Sequence, residues 1–268
     1  MYRILIVTGI RNVFQFAFLA VPAMGYNAGM EHTITIRPIA YVRSPYITSF
    51  AVPRQSSLAP SVTSTIVFEP EYSSEAAVKG LEQFSHLWLI WGFSDHFEEG
   101  WNQTVRPPRL GGNVRLGVFA TRAPFRPNPL GLSAVKILAV RKEKTGIVID
   151  VSGADLKNGT PVYDIKPYIP YSDSIPDASE GFTANTRIIR KQVFFPEEPA
   201  LDETLRNELT EILSQDPRPG FHHDPEKIYG FAYGRYEVRF RADDTSATVT
   251  EITTRSENRT PDTVHQDH

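Results

Sequence analysis

The sequence predicts a mainly β fold, a barrel or a sandwich, followed by a small α+β unit. Three observations carry this. Short β-branched and apolar runs recur along the first two thirds of the chain, and proline (21) and glycine (17) break it into pieces too short for a βαβ alternation. Helices are few, the longest run of helical spacing being Leu201, Leu205, Leu209, Ile212 and Leu213.

Taken in order, Thr33–Val42 is β-branched and partly alternating, which predicts a strand. Phe50–Ser61 is rich in Pro, Ser and Gln and reads as a loop before a second strand, Val62–Phe68. Ser73 or Ser74 is placed to cap a helix running to Phe84, with Ala77, Val78 and Leu81 inward. His86–Phe93 is almost unbroken apolar sequence and short enough for a buried strand, which makes Trp88, Trp91 and Phe93 core residues first. Val114–Phe119 is a further strand. Leu132–Val140 and Ile147–Val151 pair around Lys144-Thr145-Gly146.

Near Phe182 the character changes. Asp202 and Glu203 suit the start of the Leu201–Leu213 helix, where the helix dipole favours negative charge. Asp216-Pro217-Arg218-Pro219-Gly220 breaks that helix, and Lys227–Phe240 with Ser246–Thr253 reads as a hairpin around Asp243-Asp244. The expected organisation is a β domain over 31–182, a small α+β domain over 183–254, and a polar, disordered tail over 255–268. Residues 1–30 stand apart. Their apolar run is broken by Asn12 and Gln15 and is too short to span a bilayer; of a secretory signal and an extension upstream of a start at Met30, the second is preferred.

Composition excludes several chemistries. The chain has no cysteine, so disulfides, thiolate metal sites and a cysteine nucleophile are out, and a reducing compartment fits. The seven histidines lack zinc spacing, and no metal is expected. Ile4–Gly9 opens like a nucleotide-binding strand, but no G-x-G-x-x-G follows it, and neither a Walker A sequence nor a G-x-S-x-G elbow is present.

Net charge is −3, which by itself does not suggest nucleic acid. Yet Gly100 through Lys142 holds no acid, while carrying Arg106, Arg109, Arg115, Arg122, Arg126, Lys136, Arg141 and Lys142. Arginine's planar fork suits phosphate, and a basic surface gains by releasing counterions from nucleic acid. Prolines at 107, 108, 124, 127 and 129 interleaved with glycines at 111, 112, 117 and 131 fix irregular loops of the kind that bind. A solvated basic face is the alternative that charge alone leaves open.

The residues themselves resemble a family. Arg106-Pro-Pro-Arg-Leu-Gly-Gly-Asn113, Gly117-Val-Phe-Ala-Thr-Arg122 and Phe125-Arg-Pro-Asn-Pro-Leu-Gly131 are similar to motifs of the TsaA-like (TrmO) tRNA methyltransferases. So are Arg43-Ser-Pro-Tyr46, Val52-Pro-Arg-Gln55, Phe84-Ser-His-Leu-Trp88, Asp155-Leu156, Gly159-Thr-Pro-Val162 and Asp164-Ile-Lys-Pro-Tyr168. Asp216-Pro-Arg-Pro219 resembles a motif of the C-terminal extension, and the likeness runs from about Ile36 to Val249.

The resemblance implies a cytoplasmic, non-membrane homodimer on a single-sheet, non-Rossmann β-barrel. It implies that S-adenosylmethionine methylates N6 of threonylcarbamoyladenosine, just 3′ of the tRNA anticodon. Carried over by motif, cofactor contacts fall on Gln55, Ser56, Ser57, Ser94, Asp95, Arg122, Leu132, Gly153, Ala154, Asp155 and Leu156. The chain departs from the pattern at Phe93-Ser94-Asp95-His96, where the family carries a Phe-His pair, so His96 takes that place from a shifted position or the contact is lost.

Such a reaction needs an aligned acceptor nitrogen and a home for its proton. Arg122 and Arg126 are assigned to the site, holding a carboxylate of cofactor or substrate. Asp155, Asp164 and Tyr163 remain open as proton acceptor, and Asp155 is equally readable as a turn residue. Arg106, Arg109 and Arg115 are assigned to tRNA phosphates, and Trp101 to base stacking. The rival readings are an RNA-binding module without catalysis and a methyltransferase for another small substrate.

Overall fold

The computed structural model describes residues 34–110, 113–185, 190–197, 201–219 and 224–255. The proposed extension over 1–30, His222-His223 and nearly all of the tail lie outside them.

Strands dominate, and helices are few and short. The first β layer uses β1 (Ala40–Arg43), β2 (Thr63–Phe68), β3 (His86–Gly92), β6 (Leu130–Glu143), β7 (Gly146–Ser152) and β8 (Pro161–Pro167). Between them come α1 (Glu75–Val78), the two-residue pair β4 (Thr104–Val105) and β5 (Leu116–Gly117), and after them α2 (Pro170–Asp173). The six long strands hydrogen-bond in the order β1-β2-β7-β6-β3-β8, antiparallel throughout, and β8 returns to β1 to close a barrel. Alternation sends Val42, Ile66, Leu87, Leu89, Val135, Ile149, Val151 and Val162 into its interior, where all are buried. Each such side chain contributes roughly 1.5–3 kcal/mol through removal from water. Bulges at Ile90/Trp91 against β8 and at Ile137/Ala139 against β7 supply the bends that closure requires.

The second layer holds β9 (Gln192–Phe194), α3 (Glu203–Leu213), β10 (Tyr229–Tyr233), β11 (Tyr236–Ala242) and β12 (Ser246–Thr254), with sheet order β10-β11-β12-β9. α3 starts where Asp202 accepts the Leu205 N–H, and it buries Leu205, Leu209, Ile212 and Leu213 against the sheet. Tyr46, Ala51, Ala59 and Val62 share that core, although they belong to the segment joining β1 to β2. A backbone bridge joins Tyr46 to Tyr233, and the Gly234 N–H donates to Pro45 O at 2.7 Å.

Asp216-Pro-Arg-Pro219 is a buried staple here. Arg218, 5% exposed, donates Nε and Nη2 to the Asp216 carboxylate at 2.8 and 2.9 Å, and reaches the carbonyls of Ala242 and Asp243. Lys191 approaches the same carboxylate at 3.3 Å.

Several expected elements change. The Thr33–Val42 strand pairs only from Ala40, and Thr33 lies outside the described residues. The helix expected through Phe84 stops at Val78 because Gly80 turns left-handed at φ 90°; Ser74 caps it, Ala77 is exposed, and Ser73 instead accepts the Ile147 N–H at 2.6 Å. Val114–Phe119 is strand only at Leu116–Gly117 and then coils into a 3-10 turn, Val118–Ala120. Lys227–Phe240 is not one strand: Gly234, at φ 52°, folds it into the β10–β11 hairpin, and the turn at Asp243 joins β11 to β12. Pro161–Pro167 and Gln192–Phe194 are strands that the pattern did not announce.

Candidate functional site

A cleft of ≈ 1630 Å³ opens where β3 ends and β6 begins. Its floor is set by Trp91. A Cβ on Gly131 would lie 2.3 Å from the Trp91 ring, so glycine is what lets the indole lie flat across β6. The Trp91 Nε1–H donates to Ser133 Oγ at 3.0 Å, and Ser133 Oγ donates to Asp155 Oδ1 at 2.6 Å. A polar line thus runs from the barrel interior to a carboxylate on the cleft wall. Burial raises the Asp155 carboxyl above the ordinary carboxylate range; bonds from Ser133 and the Asp155 and Ser56 N–H groups, with the charge of Arg122, oppose this without cancelling it.

The opposite wall comes from the loop before β6. Arg122 donates to Gln55 Oε1, joining the Phe125–Gly131 side of the cleft to the β1–β2 connection. The Gly153 turn holds that connection from behind. Gly153 sits at φ 73°, its carbonyl accepts the Ser57 N–H at 2.8 Å, and a Cβ there would come within 3.1 Å of Ser57 Cα. Ser57 is itself left-handed, at φ 64°.

At the rim, Asp95 accepts from Lys157 Nζ and from Ser49 Oγ, which ties three loops together. Burial raises this carboxyl, but the Lys157 and Ser49 bonds outweigh it and hold it below the ordinary value. His96 also lines the cleft; its Nδ1 lies 3.0 Å from Glu99 Oε1 and its ring meets the edge of Phe125.

The residues singled out from sequence therefore separate. Gln55, Ser94, Asp95, Arg122, Leu132, Asp155 and Leu156 line one cleft, together with Arg106, Arg115 and Arg126. Ala154 and Leu156 are 2% and 1% exposed and pack in the barrel core, so they can present little but backbone. Ser56, Ser57 and Gly153 stand behind the wall. Arg126 braces a turn, its Nη1 donating to Val118 O and Thr121 O. Arg115 donates to Thr104 Oγ1 at 3.0 Å across the β4–β5 pair. Arg109 lies in a turn, and its side chain is outside the described residues. Asp164, paired with Lys166 at 2.8 Å, does not line the cleft, and neither do Tyr163 or the half-exposed Trp101.

The acid-free run also divides. Arg141 pairs with Asp150 and Glu143, and Lys142 with Glu75, all away from the cleft. Residues that sequence reasoning missed are Ser133, Lys157 and Phe119. The first carried a signal: a serine on an inward strand position beside a glycine is a polar group that needs a buried partner.

Among the described residues no group of three or more His, Cys, Asp or Glu is arranged for a metal, and no helix is long and apolar enough to cross a membrane.

Family models match twice: the tRNA-methyltransferase O N-terminal domain over residues 41–174 and the TrmO C-terminal domain over residues 192–255. The chain is 42% identical over 218 residues to a tRNA (adenine(37)-N6)-methyltransferase of Escherichia coli, covering 77% of this chain and 92% of that one. It is 40% identical over 211 residues to a putative S-adenosylmethionine-dependent methyltransferase, RcsF, of Pseudomonas aeruginosa, covering 75% and 88%. A crystal structure of TrmO from Pseudomonas aeruginosa superposes with a TM-score of 0.65 at 32% identity, covering 82% of this chain and 99% of that one.

Proposed function

The chain belongs to the tRNA-methyltransferase O family, and from that premise we propose how its cleft works. The protein is an S-adenosylmethionine-dependent tRNA methyltransferase that acts at N6 of an adenine. Our finer reading is that this adenine carries a threonylcarbamoyl group and lies immediately 3′ of the anticodon. The observation that carries the reading is the meeting of Gln55, Arg122 and Asp155, from three distant stretches, in one arginine-lined cleft.

The donor set fits S-adenosylmethionine. A guanidinium suits its carboxylate, the Gln55 carbonyl suits its ammonium, and Leu132, 54% exposed, offers apolar surface for its purine. When bound, the cofactor supplies a methyl group made electrophilic by a sulfonium. The chain's own residues do the rest. Arg122 and Gln55 fix one reactant, and the rigid Trp91–Gly131 floor sets the depth of the other, which supports an in-line approach. Asp155 is the one of the three candidate proton acceptors on the cleft wall, and we assign it that role. Its raised affinity for a proton makes it the stronger base once ionised. Arg106 and Arg115 line the same cleft, and we assign them to tRNA phosphates.

We further propose a homodimer, supported by the exposed Leu138 on β6, Tyr171 in α2 and Ile175 just after it, apolar side chains that a second copy would cover. We also propose a cytoplasmic location, which a tRNA substrate supports. We divide the chain into a catalytic domain over 31–182 and a small domain over 183–254.

Calorimetry with S-adenosylmethionine, followed by mass analysis of nucleosides after incubation with tRNA, tests the reading. Saturable binding that is weakened by Arg122→Ala, and one added methyl group on threonylcarbamoyladenosine, are expected. Folded protein with no heat of binding, or methylation of a different acceptor, overturns it.

A further inference from the structure

Phe119 is 71% exposed, yet it is held more firmly than an exposed side chain needs to be. It stands on the 3-10 turn Val118–Ala120, whose first residue is buried at 1% exposure. The turn is fixed on both sides. Val118 N–H donates to Gln103 O at 3.0 Å, and the Thr121 N–H and Oγ1 both donate to Val118 O, at 3.1 and 2.9 Å. The Arg126 guanidinium, anchored on the carbonyls of Val118 and Thr121, lies 5.6 Å from the centre of the phenyl ring. One face of the ring is thus backed by a fixed cation and the rest is open to water, at the edge of a cleft that also carries Arg106, Arg115 and Arg122.

We infer that Phe119 is a stacking platform for an unpaired nucleobase of the RNA, next to the base that enters the cleft. This rests on the tRNA reading above and deepens it. Single-stranded loops are recognised by splaying bases onto aromatic rings, while neighbouring cations take the phosphates. A ring carried on a fixed turn and backed by a cation loses less freedom on stacking than one on a loose loop. The positive lining around it selects a polyanion over an apolar protein surface as the occupant. Trp101, to which the sequence assigned stacking, is exposed but does not line the cleft; Phe119 does.

The test uses the full chain and an anticodon stem-loop bearing threonylcarbamoyladenosine, with 2-aminopurine placed in turn at the loop positions flanking it. The wild type is expected to quench the probe at one flanking position. Phe119→Ala is expected to lose that quench and to bind the RNA about tenfold more weakly, with an unchanged dependence of affinity on salt, since no phosphate contact is removed. Phe119→Trp is expected to keep both the quench and the affinity, and an unchanged melting temperature in each variant shows that the turn is intact. Equal RNA affinity and quench in Phe119→Ala overturn the inference. So does a matching loss of S-adenosylmethionine binding by calorimetry, which makes the cofactor the occupant, or a fall to monomer in sedimentation, which makes it a second copy. A wild type that binds no stem-loop defeats the tRNA reading itself; binding that ignores Phe119 defeats only the platform.

Discussion

Replacing Arg218 with methionine keeps an unbranched apolar stem and removes the guanidinium with its charge. The wild-type guanidinium makes two bonds to Asp216 and reaches the carbonyls of Ala242 and Asp243. In the variant Asp216 keeps only Lys191 at 3.3 Å, and Ala242 O loses its partner. Removing one member of a buried pair costs about 3–5 kcal/mol. Because the Asp216 side chain remains 29% exposed and keeps one cation, about 3 kcal/mol is the expected loss. For a unit of this size that is a fall in melting temperature of about 6–12 °C.

The sign of the pH dependence is fixed by Asp216. Burial raises its carboxyl, but the bonds and charges of Arg218 and Lys191 outweigh this and leave it lowered. A lowered carboxyl contributes stability above its unfolded value and loses it as pH falls through the folded value. Urea denaturation followed by circular dichroism should therefore show wild type and variant far apart at neutral pH and converging below the ordinary carboxylate range. A neutral-pH difference under about 1 kcal/mol, well below the range for a broken buried pair, or a gap that does not narrow in acid, refutes the staple.

Asp155→Asn should lower methyl transfer about 10²–10⁴-fold, the range for loss of a general base. It should also melt higher than wild type at neutral pH, because a carboxyl raised by burial is penalised when ionised; that advantage should shrink as pH drops below its folded value and be gone below its unfolded value, and scanning calorimetry across pH checks it. Gly131→Ala puts a methyl group into the Trp91 ring and should cost about 1–3 kcal/mol, with altered indole fluorescence; wild-type stability would contradict a cleft floor formed by Trp91 over Gly131. Arg106→Ala should flatten the plot of log affinity for tRNA against log salt by about one unit, and an unchanged slope removes Arg106 from the interface.

Much of the fold was legible because β3, β7 and α3 carry their burial pattern in contiguous residues. Where it was not, a local rule competed. Pro161–Pro167 begins and ends on proline and contains Asp164 and Lys166, so it looks like loop; it is a strand because the barrel needs β8 between β1 and β3. Gly234-Arg235 is a weak turn signal, so β10 and β11 merged into one run. Gly80 lacked any sign that its φ would be positive.

The site was legible as a string of motifs and not as geometry. Nothing in the local sequence brings Gln55 to Arg122, since that pairing depends on the path of the β1–β2 connection. The basic run misled for a related reason. β6 carries Arg141 roughly 36 Å from its start, at the usual rise per strand residue, to Glu143 at its own far end and Asp150 on β7.

That connection has a consequence for how the protein is made. Tyr46, Ala51, Ala59 and Val62 leave the ribosome long before Leu205 through Ile252, the residues that cover them. At roughly 5–20 residues per second, the wait is on the order of ten seconds or more. Through that interval the stretch bearing Gln55 lacks the cover of Leu205 through Ile252, so the nascent chain carries an unfinished pocket until its last sheet is synthesised. Chains stalled before α3 should be cut by protease between residues 50 and 61, whereas released chains should resist there.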